Sequence, residues 1–147
     1  MTIHCNSRVR ILEAALSLFS EKGYEATSTR EICELAGITK PTLYYFYKSK
    51  EGVYRALIED GDRQFRAVLE QGLSSAGTLR DKYRKVAEAL FDESTRQEQL
   101  ARFLFSIVWT PNAPFAIELH KSYDSASQFL AQAAKAGSGG GSCTRGG

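Results

Sequence analysis

The chain has 147 residues, 43% of them hydrophobic and 24% charged, and a formal net charge of +2. That length holds one domain, or a small domain with a modest second one, and the apolar content is enough for a real core. No stretch approaches the roughly 18 apolar residues of a membrane span and the N-terminus carries no apolar leader block, so a cytoplasmic globular protein is expected.

Helical spacing organises the chain from near its start to about residue 136. Residues 1–6 read as a frayed start, with Asn6 or Ser7 as a cap. Ile11, Ala15, Leu18 and Phe19 then form the apolar stripe of a first helix from about Arg8 to Lys22. Gly23 ends it, and Tyr24 is expected to fold back onto the core. Ser28 followed by Glu31 is a capping box for a second helix, with Ile32, Leu35 and Ala36 as its apolar face and Gly37 as its left-handed stop. Ile38 plugs the angle before a third helix, capped by Thr39 and carrying Pro41 in its first turn. From Lys40 to Tyr47 the sequence is KPTLYYFY. Leu43 points inward and Phe46 and Tyr47 pack on the core, which leaves Lys40, Pro41, Thr42, Tyr44 and Tyr45 facing outward. Two short helices about a glycine turn, here about residues 28–47, are the signature of a helix-turn-helix, whose second helix enters the major groove. A hydroxyl, an ammonium and aromatic rings can meet phosphates, base edges and thymine methyls there.

Ser49 caps a fourth helix that runs through Val53, Leu57, Phe65 and Leu69 to about Gly72. Its base and the first three helices should make a self-contained domain over residues 6–62. After a loop at Ser74–Thr78 comes a fifth helix, Leu79 to about Glu93, with Tyr83, Val86 and Leu90 at helical spacing. A sixth, about Arg96 to Trp109, carries Leu100, Phe103, Leu104, Ile107 and Val108. The TPNAP break precedes a seventh from Phe115 to about Lys135, with Leu119, Tyr123, Ala126, Leu130 and Ala133 on one face. Residues 63–136 thus read as a second helical region and 137–147, GSGGGSCTRGG, as a flexible tail. With no alternating apolar–polar run, the fold class is all-α.

The order of these motifs resembles the TetR family of bacterial transcription regulators. The resemblance runs from Arg8 to about Asp62 and rests on GYEATSTREI, AGITKPTLYYF and KSKE in register. It implies a three-helix DNA-binding domain followed by a helical domain that binds small molecules and dimerises. The function expected is that of a ligand-responsive repressor, a homodimer on a palindromic double-stranded operator. Carried over residue by residue, Arg30, Lys40, Pro41, Thr42, Tyr44 and Tyr45 read bases and backbone, with Thr39 beside them. Thr29 and Lys50 would hold phosphates, Lys50 aided by the N-terminus of the fourth helix. The family calls for about two further helices after residue 136, which usually form the dimer contact, so the regulatory domain is expected to be truncated. The alternative is a helical interaction module that binds no DNA, or an inactive regulator fragment.

The surplus of charge supports DNA binding only weakly: residues 1–50 hold seven Lys or Arg against five Asp or Glu, and the remainder hold twelve of each. No catalytic constellation is present. His4 and His120 stand apart from any nucleophile motif, the pairs Asp60/Asp62 and Asp92/Glu93 read as solvated faces, and GSGGG lacks the strand and helix of a phosphate loop. Cys5, Cys33 and Cys143 have no metal or disulfide spacing, and Cys33 fits a small core residue. Neither enzymatic activity nor a metal or cofactor is expected. The rings of helices five to seven make either an ordinary core or a cavity for a hydrophobic or aromatic ligand. Phe91, Phe103, Trp109, His120 and Tyr123 are the candidate lining, with Trp109 and Tyr123 buried around a common void. Phe103 and Phe105 cannot share a helix face, so one of them should line a pocket or an interface. An uncovered apolar face on the seventh helix would mark a dimer contact.

Overall fold

The computed structural model describes residues 2–109 together with residues 116, 117, 120, 121, 124, 127, 128, 131, 132 and 135. Six helices follow one another: α1 (Thr2–Lys22), α2 (Thr29–Ala36), α3 (Lys40–Tyr47), α4 (Lys50–Leu73), α5 (Leu79–Arg96) and α6 (Glu98–Val108). The described residues of the expected seventh helix are all α-helical, and among the described residues there is no strand. The fold is all-α.

The caps explain the helix boundaries. Ser28 accepts from the Glu31 N–H while the Glu31 carboxylate accepts from the Ser28 N–H at 2.9 Å, completing the capping box. Gly37 ends α2 at φ +61°, with its N–H turned back to the carbonyls of Cys33 and Glu34. Ser49 opens α4 by accepting from the Gly52 N–H. Thr39 stands at the cap position of α3, but its hydroxyl pairs with the Thr42 hydroxyl at 2.9 Å and caps no N–H. Helix α1 begins at Thr2, several residues before the expected start, because neither glycine nor proline interrupts residues 2–7 and Asn6 and Ser7 are absorbed into the helix.

The core is built where helical spacing places it. Ile11, Ala15, Phe19, Ile32, Leu43, Val53 and Leu57 are buried, with Leu18 and Ile38 packed against them. Leu35 departs from expectation: it is exposed, because the two-turn helix α2 turns only Ile32, Cys33 and Ala36 inward. Four rings bind α1, α4 and α6 together. Phe103 of α6 stacks on Phe19 at 6.2 Å between centroids and meets Tyr54 edge-on at 5.1 Å, and Tyr54 meets Tyr24 at 4.8 Å. Burial pushes the Tyr54 phenol up to about 12. Leu100, Phe103 and Ile107 of α6 belong to the same buried cluster as the residues of α1 to α4. A second cluster, Leu69, Leu73 and Val86, joins the end of α4 to α5. Their close approach needs Gly72, where a Cβ would lie 2.4 Å from Val86 Cγ2.

Candidate nucleic-acid interface and adjoining cavity

Leu43, fully buried, pins α3 against the core, and Tyr47 anchors its far end. The Tyr47 hydroxyl donates to the Arg8 carbonyl at 3.3 Å, and the Arg8 guanidinium lies 6.0 Å from the ring centre. Fixing this inner edge presents the other side to solvent: Tyr44 and Tyr45 are 45% and 69% exposed, beside exposed Thr39, Lys40 and Pro41 and half-buried Thr42. An exposed ammonium, hydroxyls and two phenols on one short helix are groups that can reach phosphates and base edges.

The other candidates take different positions. Arg30 is exposed on α2 and paired with Glu34 at 2.7 Å, a contact that also raises the guanidinium pKa, and Thr29 is half-buried at the start of the same helix. Lys50 is turned inward: its ammonium donates to the Tyr24 carbonyl at 2.8 Å and lies 4.1 Å over the Tyr24 ring. It braces the loop before α2, where a backbone carbonyl and a π face hold its charge. Arg10, which sequence reasoning missed, does comparable work on the turn by donating to the Gly37 carbonyl at 3.0 Å. Its only signal is its place on the exposed side of α1, one residue before buried Ile11.

A cavity of about 350 Å³ opens between α4, α5 and α6. Gly61, Gln64, Phe65 and Val68 line it from α4, Leu90, Glu93 and Ser94 from α5, and Leu100, Ala101, Leu104 and Phe105 from α6, with Gln97 at the α5–α6 break. The expected lining is elsewhere. Phe103 is 2% exposed within the core, whereas Phe91 and Trp109 are 73% and 82% exposed. His120 is exposed, with Nδ1 2.6 Å from the Ala116 carbonyl of its own turn, and Tyr123 lies outside the described residues. Helix phase accounts for the difference: the cavity face of α6 is Leu100, Ala101, Leu104 and Phe105, and Phe103 points the other way. Of the two phenylalanines that cannot share a face, Phe105 is the one at the cavity. Its polar end is a chain of hydrogen bonds. Gln64 Nε2 donates to Asp60 at 2.9 Å, and Gln97 Nε2 donates to Gln64 Oε1 at 2.5 Å and also to Glu93 Oε1. Among the described residues no group of His, Cys, Asp and Glu could hold a metal ion, and no helix is long and apolar enough to cross a membrane.

Residues 11–57 match the family described as bacterial regulatory proteins, tetR family. The chain is 31% identical over 96 residues to the HTH-type transcriptional regulator YvkB of Bacillus subtilis, a match covering 65% of this chain and 49% of that protein. It is 36% identical over 76 residues to the HTH-type transcriptional repressor KstR2 of Rhodococcus jostii, covering 49% and 37%. The chain thus spans about half the length, or less, of these curated relatives. In fold it is similar to a TetR-like transcriptional regulator from Rhodococcus sp. RHA1, with a TM-score of 0.76 at 24% identity over 86% of this chain and 68% of the other.

Proposed function

We propose that this chain, whose residues 11–57 match the tetR family of bacterial regulatory proteins, is a DNA-binding transcriptional repressor released by a small ligand. The observation that carries the reading is the outward face of α3, where Lys40, Tyr44 and Tyr45 stand free of the core that Leu43 anchors. The protein acts as a homodimer, each protomer setting α3 in a major groove of a palindromic operator. Half-site centres then lie about 34–36 Å apart, or a multiple of that. Arg30, Thr39, Pro41 and Thr42 flank the readers, Thr29 meets a phosphate at the start of α2, and Lys50 and Arg10 hold the turn in place. An apolar small molecule in the α4–α5–α6 cavity shifts α6 against α4 and changes the spacing of the two reading heads.

Selection of bound sequences from a random double-stranded pool tests the proposal. A palindromic consensus is expected. Tyr44→Ala should weaken binding to it by about 1–3 kcal/mol and relax specificity at one position. Lys40→Ala should weaken binding to all sequences alike and lower the salt slope by about one. Selection of no consensus, or a Tyr44→Ala variant that binds like its parent, would remove α3 as the reading element.

A further inference from the structure

We propose that the cavity takes an apolar molecule with a protonated amine head, whose ammonium displaces the Gln97 amide from Glu93 and Gln64. This rests on the regulator reading above and narrows its ligand. Glu93 is the only charged residue among the described residues that line the cavity, and no Lys, Arg or His joins it. An apolar chamber ending on one carboxylate attracts an ammonium and repels a carboxylate, and the low-polarity walls strengthen both effects.

The hydrogen bonds at that end show what the site lacks. The chain Asp60–Gln64–Gln97–Glu93 ends on carboxylates, which in ionised form only accept, so each amide must turn its NH₂ toward an oxygen. At the cavity, two acceptors, Gln64 Oε1 and Glu93 Oε1, are served by the two N–H groups of one uncharged amide, Gln97 Nε2. A ligand ammonium in its place brings three donors and a full charge where the amide brings two donors and none.

The exchange has a structural consequence. Gln97 is the break between α5 and α6, at φ −116° and ψ 50°, and its bond to Gln64 ties that break to α4. Releasing the tie loosens α6 about two turns before Phe103 and about three before Ile107, residues that fill the core of the reading head.

Isothermal titration of the full chain with decylamine, decanol and decanoate, which share one tail, tests the proposal alongside Glu93→Gln and Gln97→Met. Decylamine should bind about tenfold or more tighter than decanoate, with decanol between them. Glu93→Gln should abolish that preference. Gln97→Met, which keeps the length of the side chain and drops the competing amide, should tighten decylamine several-fold. Equal binding of amine and carboxylate, a preference that survives Glu93→Gln, or no binding of any probe overturns the proposal. Should a variant fail to fold by circular dichroism, the ratio measured on the parent chain still decides. Operator binding separates the two readings. A chain that binds operator but prefers decanoate keeps the regulator reading and loses this one, and a chain that prefers decylamine but selects no DNA does the reverse.

Discussion

Glu31 shows how much one side chain does in the helix-turn-helix. Its carboxylate bonds the Lys22 ammonium of α1, the Ser28 N–H and the Ser28 hydroxyl, and these contacts hold its pKa down to about 2, the Lys22 bond contributing most. The folded value lies below the ordinary one of 4.5. The stability it contributes is therefore present in full above about 4.5 and is lost as the pH falls toward about 2. Urea midpoints of the parent and of Glu31→Gln should differ by a constant amount at pH 5 and above, and converge between about 4.5 and about 2. A gap that does not change with pH would leave the capping contact without an ionic part. The Ser28–Glu31 pair was legible in the sequence because a capping box is a local code with fixed spacing. The Lys50–Tyr24 and Arg10–Gly37 contacts were not, because each joins residues more than twenty positions apart and nothing local marks them.

The helix-turn-helix was readable almost to the residue as far as the start of α3, since a capping box, a glycine and a proline write those boundaries, whereas α3 ends at Lys48, a lysine at φ +67°. Gly37 at φ +61° is the strictest of these positions. A β-branched side chain there is strained, so Gly37→Val should cost about 1–3 kcal/mol or more. It should also break the Arg10 contact, because a Cβ would lie 2.4 Å from the Arg10 Nη2. Urea unfolding measures the first effect and operator affinity the second, and a variant as stable as its parent would show that the turn does not require glycine. Longer helices were less legible. Leu35 satisfied the apolar pattern but lies outside, because a helix of eight residues touches the core on one narrow stripe. The sequence points to aromatic rings as the cavity lining, whereas aliphatic side chains make up most of its apolar wall and two glutamines and Glu93 its polar end. Gln64 on α4 and Glu93 and Gln97 at the end of α5 fall on the same i, i+3, i+4, i+7 stripes as the apolar lining, and of these only Glu93, paired with Asp92, enters the sequence reading, as a solvated face.

At the scale of the molecule, one hydrophobic cluster runs from α1 through α4 to α6. Phe103 sits at its middle, and Phe103→Ala should cost about 3–5 kcal/mol. That loss should appear as a lowered urea midpoint of one cooperative transition, followed by circular dichroism and by Trp109 fluorescence alike. Two separated transitions would mean that the helices before and after residue 62 unfold independently.

The seat of Phe103 between Phe19 and Tyr54 also bears on how such a protein can be recombined. Residues up to about 62, moved onto another protein of this fold, would arrive with an open hole where α6 belongs. The unit of exchange is a discontinuous one, α1 to the base of α4 together with the inner face of α6. The two parts can diverge freely over their outer surfaces, but across this seam they must change together.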